Sequence, residues 1–383
     1  MRKPVLLYNQ THIDLAYTNK EVSVKLAPII LITLLINLII PTSWACTGIE
    51  LKAKDNSYVN GRTVEFGISL HLSGVIIPRN YAFKGTLPDG TTGLVYKSKY
   101  AAVGARMFGE VAIADGINEK GLAIGDFYFP GYAGYTKVTA ENKNQALSPT
   151  EFSNWILSQF ATVDEVKAGI KSVVIVATTP KGWPILPPFH YVIYDKSGKS
   201  LVIEPLNGQL KVYDNPIGTF TNSPTFDWHL TNLINYINLS PVNITSLDVN
   251  GYRLQPFGSG SGLHGMPGDF TPPSRFVRAA IFSSTAIPSD NAQQAVLQAF
   301  HILNQFDIPV GAVRQKESES VNSEYTMATT VKDASNLKYY FRTFEDQTIK
   351  VVDLNTFDWN AAAIKTYPMD SQQPIVDISK TAK

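Results

Sequence analysis

The chain of 383 residues contains a single cysteine, Cys46, so no disulfide within the chain can hold its fold together. The fold must therefore depend on a buried apolar core. With 44% hydrophobic and 17% charged residues, the composition can supply such a core and is typical of a globular protein. The net charge of +1 gives no indication that a nucleic acid or an anionic membrane surface is the main partner.

The first 45 residues have the pattern of a secretory signal. Two lysines precede a mainly apolar run at 26–40, and the small residues Ser43 and Ala45 stand third and first before Cys46. The run is shorter than the ~20 apolar residues that a transmembrane helix needs. We therefore predict that residues 1–45 are a signal peptide that is removed, and that the protein is exported to the periplasm or secreted. A retained membrane anchor is the alternative.

The position of Cys46, directly after the predicted cut, has two interpretations. It can be a free N-terminal cysteine, or it can be lipidated, which would anchor the protein and block both its amine and its thiol. Lipidation usually requires leucine at the third position before the cysteine and small residues at the two positions between them. This chain has Ser43, Trp44 and Ala45 at these three positions. Trp44 fits that pattern poorly, so we favour the free N-terminal cysteine. A lipidated, non-enzymatic surface protein is the alternative from a different functional class.

Strand patterns dominate the sequence after Cys46. Residues 47–54 and 57–66 flank the turn signal Asp55-Asn56 and predict a β-hairpin. Helices are predicted in separate blocks, at 148–161, from Pro272-Pro273 to about 282, and at 290–306. Many strands with helices in separate blocks indicate an α+β layered fold. Since no linker rich in proline, glycine or serine divides the chain, we predict a single domain at 46–383.

A free N-terminal Cys46 would carry both a nucleophile and a base. The α-amine has an ordinary pKa of ~8 and the thiol of ~8.5, so both exchange protons near neutral pH. The thiolate is the better nucleophile, and the adjacent amine can serve as its base. This chemistry needs no separate histidine, and the six histidines form no catalytic or metal-binding motif.

The predicted hairpin adds two charged candidates to this site. If the turn centres near Asn56, antiparallel pairing places Cys46 near Phe66, with Arg62 and Glu65 beside it on the returning strand. Arg62 could lower the pKa of the thiol, and Glu65 could bind the new ammonium group. The alternative is a surface ion pair on the hairpin.

Several motifs after Cys46 resemble, in order, those of the choloylglycine hydrolase and penicillin V acylase family of N-terminal-nucleophile hydrolases. They are Cys46-Thr47, GRTVE at 61–65, IPRNY at 77–81, GINEKGL at 116–122, TNSP at 221–224 and GMPGDFTPPSRF at 265–276. The resemblance extends over nearly the whole chain after the predicted signal. It implies a four-layer αββα sandwich, in which two antiparallel sheets lie between helix layers.

The same resemblance implies roles for individual residues. Cys46 would be the nucleophile, with Arg62 next to its sulfur, and Glu65 stands where the family usually has the aspartate that binds the amine. Asn222 and the backbone N–H of Tyr128 would donate hydrogen bonds to the oxyanion of the tetrahedral intermediate. Arg275 would complete the charged surroundings of the thiol. Without the resemblance, the sequence favours Asn222 as a turn residue before Ser-Pro and Arg275 as a residue of the first turn of a helix.

The resemblance implies hydrolysis of a linear amide in a small N-acyl compound of the penicillin V or conjugated bile salt type, through an acyl-enzyme. An N-acyl homoserine lactone acylase of the same fold is the alternative. No metal or organic cofactor is expected, nor stable membrane anchoring once the signal is removed. The family also implies a homotetramer.

Overall fold

The predicted hairpin forms, and it brings Cys46 into the first strand of the molecule. The computed structural model describes residues 45–316 and 321–381, so the predicted signal lies outside the described residues except for Ala45. Strand β1 (Cys46–Lys52) pairs antiparallel with β2 (Tyr58–Phe66). Asn56 takes a positive φ of 66° in the turn between them, a conformation that asparagine tolerates better than most residues.

The remaining elements form in the described residues as strands and helices. The strands are β3 (Ser73–Ile77), β4 (Ala82–Thr86), β5 (Thr92–Lys97), β6 (Ala102–Arg106), β7 (Ile113–Asn118), β8 (Ala123–Tyr128), β9 (Ala146–Leu147), β10 (Val174–Ile175), β11 (Phe189–Tyr194), β12 (Ser200–Leu206), β13 (Gln209–Asp214), β14 (Leu247–Val249), β15 (Tyr252–Leu254), β16 (Val313–Lys316), β17 (Val321–Asp333), β18 (Lys338–Thr343), β19 (Lys350–Asp353) and β20 (Lys365–Pro368). The α-helices are α1 (Phe152–Gln159), α2 (Val163–Gly169), α3 (Phe226–Leu233), α4 (Pro272–Thr285) and α5 (Ala292–Leu303).

Two large antiparallel sheets contain most of these strands. One has six strands, in the order β1-β2-β17-β18-β19 with β16 also paired to β17. The other has eight, in the order β13-β12-β11-β8-β7-β6-β3-β20. In both sheets an early strand pairs with a late one: β2 with β17 in the first sheet, and β3 with β20 in the second. Neither sheet is therefore complete until the C-terminal strands have joined it.

Helices cover the outer faces of the sheets and apolar side chains fill the space between them. Helices α4 and α5 pack on β1, β2 and β17 of the six-stranded sheet, and α1 packs on β7 and β8 of the eight-stranded sheet. Between the sheets, β6, β7 and β8 contribute small and branched side chains that pack against Tyr339 and Phe341 of β18. The predicted four-layer αββα sandwich is therefore confirmed.

A buried ion pair also joins the two sheets. Lys332 Nζ of β17 lies 2.6 Å from Asp115 Oδ1 of β7, and Oδ2 of Asp115 accepts hydrogen bonds from Thr330 and Tyr339. Burial favours the protonated acid, but the charges of Lys332 and Arg62 and the hydrogen bonds to the carboxylate together outweigh it and lower the pKa of Asp115. A buried charge needs such partners, so the pair fixes how the two sheets face each other at this point.

The helix boundaries differ from the predicted ones for local reasons. Ser148 N donates to Glu151 Oε2, which is one of the two bonds of a capping box, but the helix predicted at 148–161 begins only at Phe152. The two prolines at 272 and 273 lie inside the first turn of α4, where a missing N–H costs nothing. Helix α3 was not predicted. No helix in the described ranges is both long and apolar enough to span a membrane.

Candidate active site

Cys46 lies at the start of β1, at the edge of the six-stranded sheet. It pairs with Val64, whereas the sequence predicted pairing with Phe66. The difference arises because the turn is centred one residue earlier than expected. A short bridge joins the outer edge of β1 to a distant segment, with Gly48 N donating to Phe220 O at 2.7 Å and Phe220 N to Gly48 O at 3.0 Å. This bridge brings Asn222, two residues further on, next to Cys46.

The Cys46 thiol contacts Arg62, as the sequence predicted. Arg62 Nη2 lies 2.9 Å from Cys46 Sγ, and its Nη1 donates to the carbonyl oxygen of Asp126 at 2.6 Å. The guanidinium lies over the Phe127 ring, 4.0 Å from its centroid. Both Arg62 and Glu65 are buried, which excludes the alternative of a surface ion pair on the hairpin.

The surroundings of the thiol act on its pKa in opposite directions. Burial raises the pKa of Cys46, since a thiolate loses its water, and the positive charge of Arg62 opposes this rise. Burial has the larger effect, so the pKa stays above its ordinary value. Arg62 is therefore the main group in this site that favours the thiolate.

A glycine makes room for the Arg62 side chain. Gly125 lies on β8 in the opposing sheet, and a Cβ atom there would meet a Phe127 ring carbon at 2.9 Å and Arg62 Nη1 at 3.2 Å. Because these atoms belong to the guanidinium and the ring below it, a larger residue would displace both. The close approach of the two sheets at Gly125 thus positions Arg62 against the sulfur.

Asn222 contacts the backbone nitrogen of Cys46. Cys46 N donates to Asn222 Oδ1 at 2.7 Å, and Asn222 Nδ2 donates to the carbonyl oxygen of Tyr128 at 2.9 Å. Asn222 is 1% exposed, so it is a buried residue with both ends of its amide bonded. Tyr128, the last residue of β8, lies beside the site through this carbonyl group.

Arg275 connects these groups from the first turn of α4. Its Nη1 donates to the Cys46 carbonyl oxygen and, at 2.8 Å, to Thr47 Oγ1. Its Nη2 donates to Asn222 Oδ1 at 2.7 Å, and its Nε to the Phe270 carbonyl at 2.8 Å. Arg275 is fully buried, so it is more than a residue of a helix start.

Glu65 lies on the other face of β2 from Arg62, because side chains alternate along a strand. Its Oε1 accepts from Thr326 Oγ1 at 3.2 Å, and burial raises the pKa of its carboxyl to about 8. In this chain, where Ala45 precedes Cys46, the backbone nitrogen of Cys46 bonds to Asn222 and not to Glu65. The amine-binding role of Glu65 stays a prediction.

Two residues to which the sequence assigned no catalytic role complete the site. Thr47 accepts from Arg275 and its N–H donates to Thr63 Oγ1 at 3.2 Å, and Phe127 supports the Arg62 guanidinium. Only their positions in the chain, Thr47 directly after Cys46 and Phe127 directly before Tyr128, could have indicated from the sequence that they belong to the site. In the part of the chain that the structure describes, no group of three or more His, Cys, Asp or Glu side chains is arranged to hold a metal ion.

Taken together, the site pairs a buried thiol and a backbone nitrogen of the same residue with two guanidinium groups and an amide. A thiol beside a fixed positive charge can act as a nucleophile. The amide group of Asn222 carries two N–H groups, one bonded to the Tyr128 carbonyl, so the other can donate to a developing negative charge. The arrangement is suited to attack on a carbonyl carbon.

Comparisons with known proteins agree with this geometry. Residues 46–374 match the model of the family "Linear amide C-N hydrolases, choloylglycine hydrolase family". A bile salt hydrolase/transferase from Clostridium perfringens is 36% identical over 326 residues, covering 84% of this chain and 96% of that protein. A penicillin V acylase from Pectobacterium atrosepticum is 27% identical over 340 residues, covering 83% of each.

Solved structures show the same likeness. Two variants of conjugated bile acid hydrolase from Clostridium perfringens each superpose on this chain with a TM-score of 0.78 at 34% identity. One variant has a cysteine changed to alanine, and the other has an arginine changed to leucine. Each match covers 87% of this chain and all of that chain. The predicted family is thus confirmed, and the chain belongs to the choloylglycine hydrolase family of linear amide C–N hydrolases.

Proposed function

We propose that this hydrolase uses Cys46, as a free N-terminal residue, to cleave the amide bond of a small N-acyl compound through an acyl-enzyme. One observation carries the proposal: the two reactive atoms of Cys46 are held separately, Sγ at 2.9 Å from Arg62 Nη2 and N at 2.7 Å from Asn222 Oδ1. A residue that serves as both nucleophile and base needs both of its groups fixed in this way.

Removal of residues 1–45 is the first step of the proposal. The sequence supports it through the basic and apolar leader and the small residues Ser43 and Ala45 before Cys46. Cleavage between Ala45 and Cys46 would turn the peptide nitrogen that bonds to Asn222 into an amine. Export to the periplasm or secretion would follow from the same leader.

In the first half of the reaction the amine takes the thiol proton and the sulfur attacks the substrate carbonyl carbon. A C–S bond forms, and the carbonyl oxygen becomes an oxyanion. The amide group of Asn222 carries two N–H groups, so one can bond to the Tyr128 carbonyl while the other donates to this oxyanion. The backbone N–H of Tyr128 would be the second donor. The C–N bond then breaks, and the Cys46 ammonium returns its proton to the leaving amine.

In the second half water hydrolyses the thioester. The amine of Cys46 takes a proton from water as the water oxygen attacks the acyl carbon, and the same donors stabilise the second oxyanion. Breaking the C–S bond releases the carboxylic acid and restores the thiol. The reaction consumes one water and needs no redox partner.

Three charged residues would support this cycle. Arg62 favours the thiolate, and Arg275 holds Asn222 and the Cys46 carbonyl in place. Glu65, whose Oε2 has no hydrogen-bond partner among the described residues, would compensate the charge of the Cys46 ammonium. An ammonium close to Glu65 would also lower the raised pKa of its carboxyl.

The relatives indicate the substrate class. Their names refer to bile salts and to penicillin V, and the bile salt enzyme is the more similar of the two reported above. In the two variant structures the altered cysteine and arginine are 16 residues apart, the same separation as Cys46 and Arg62. We therefore propose a conjugated bile salt or penicillin V type of substrate, to be compared with an N-acyl homoserine lactone in a side-by-side assay.

An exposed apolar hairpin supports the expected homotetramer. Strands β14 and β15 form a separate two-stranded sheet, in which Leu247 is 60% and Tyr252 is 72% exposed. Ile237 and Val242, on the segment before it, are 84% and 71% exposed. Large apolar side chains are usually exposed in such number where another protein binds, and we propose that this segment contacts a second copy of the chain.

The processing step and the nucleophile can be tested together. Intact-mass analysis of the exported protein should give a chain that begins at unmodified Cys46. Cys46→Ala should reduce turnover to background for all three substrate classes, because no other group would replace the thiol, while circular dichroism shows an intact fold. A diacylglyceryl mass, residues 1–45 in the active form, or substantial activity of Cys46→Ala would contradict the proposal.

The electrostatic role of Arg62 predicts a pH shift. Its charge lowers the pKa of the thiol, so Arg62→Met should raise that pKa further and move alkylation by iodoacetamide to higher pH. At a fixed pH below the pKa, the thiolate falls about tenfold for each unit of the rise. Arg106→Met, on β6, is the matched control and should leave the alkylation profile unchanged. An unshifted profile in Arg62→Met would remove Arg62 from this role.

The homotetramer is tested by the mass of the protein in solution. Light scattering should give four times the chain mass for the wild type. The double change Leu247→Asp and Tyr252→Asp should lower that mass with the fold intact, because it introduces charge into the proposed contact. Val95→Asp, which alters an exposed apolar residue on β5, should not. A wild-type monomer, or an intact tetramer in the double variant, would be the contrary result.

A further inference from the structure

A histidine outside the predicted site bonds to the backbone of Asn222. His229 Nε2 lies 2.8 Å from the carbonyl oxygen of Asn222, and the imidazole is 1% exposed. The two residues lie on either side of the start of α3, with Asn222 just before the helix and His229 in its first turns. Asn222 is therefore bonded at three points, through its side-chain oxygen, its side-chain nitrogen and its backbone carbonyl.

The His229 ring is itself held against the helix that carries Arg275. It stacks on Phe276 with the ring centroids 4.7 Å apart and the planes 14° from parallel. Phe276 is fully buried and follows Arg275 directly on α4. Helix α4 thus acts on Asn222 twice, through the Arg275 guanidinium on Oδ1 and through the ring that Phe276 supports.

The contact also determines which ring nitrogen carries the proton. A carbonyl oxygen only accepts hydrogen bonds, so His229 must donate from Nε2–H. Burial lowers the pKa of His229 to about 4, with the charge of Arg275 adding to the effect. The ring is therefore neutral at pH 7 and donates to Asn222 without placing another charge beside the thiol.

We propose that His229 is a positioning residue that holds Asn222 where its side-chain amide meets the oxyanion. The inference rests on the proposed role of Asn222 and extends it to a residue that does not touch the reacting atoms. A displacement of ~1 Å in a group that stabilises a transition state can cost ~100-fold in rate. A single hydrogen bond to the Asn222 backbone can therefore have a large effect on turnover.

The alternative is that His229 only fills space between α3 and α4. A packing residue can be replaced by another flat ring at little cost to turnover, provided that the protein folds. A positioning residue cannot, because a phenylalanine keeps the stack on Phe276 but loses the donor. A glutamine loses the ring but places an N–H near the former Nε2. The two roles therefore predict opposite rankings of His229→Phe and His229→Gln.

The experiment measures kcat and KM of the mature enzyme for five forms, namely wild type, His229→Gln, His229→Phe, Asn222→Ala and the double variant Asn222→Ala/His229→Phe. We expect His229→Phe to lower kcat by about 10- to 100-fold with little change in KM, and His229→Gln to stay within about threefold of wild type. Asn222→Ala should lower kcat by roughly 100- to 1,000-fold. The double variant should be no slower than Asn222→Ala alone, because the loss of His229 acts through Asn222.

The results distinguish the proposed oxyanion role of Asn222 from the proposed positioning role of His229. If Asn222→Ala keeps wild-type turnover, the oxyanion role itself is wrong. If Asn222→Ala is slow but the losses in the double variant multiply, or His229→Gln is as slow as His229→Phe, only the positioning role is overturned. Should His229→Phe not fold, ¹⁵N NMR of the wild-type histidines at pH 7 decides: a neutral Nε2–H ring at His229 supports the proposal, and an Nδ1–H or charged ring contradicts it.

Discussion

The buried guanidinium of Arg275 holds the site together. It donates to the Cys46 carbonyl, to the Thr47 hydroxyl, to Asn222 Oδ1 and to the Phe270 carbonyl. A fully buried charge is tolerated only when its donors find partners, and these four come from the first strand, the segment before α3 and the loop before α4. Three parts of the chain that are far apart in sequence must therefore assemble around one side chain before the site exists.

The place of Cys46 in the sheet follows from the same requirement. Strand β1 is the edge strand of the six-stranded sheet, and its first residue is also the first residue of the predicted mature chain. One side of β1 pairs with β2, while the bridge between Gly48 and Phe220 occupies the other. The proposed N-terminal nucleophile would need a fixed backbone with a free end, and an edge strand held on both sides would fix that backbone.

Local sequence patterns predicted the parts of this arrangement that depend on neighbouring residues. The turn at Asp55-Asn56 set the hairpin within two residues of its observed register and placed Arg62 beside Cys46. The contacts of Asn222 and Arg275 with Cys46 span 176 and 229 residues, so no spacing rule could find them, and only the family resemblance brought them together. The local pattern does not indicate strand β7, because Asp115 and Gly116 interrupt its apolar residues and Asp115 gains its Lys332 partner only once the two sheets have met.

The nucleophile is tested most directly by trapping the covalent intermediate. A slowly hydrolysed amide substrate is mixed with the mature enzyme, the reaction is quenched in acid during turnover, and the peptides are analysed by mass spectrometry. We expect the acyl group of the substrate, bound as a thioester, on the peptide that begins at Cys46. An acyl group on any other residue, or no covalent adduct while a substrate with rate-limiting deacylation is being turned over, would contradict catalysis by Cys46.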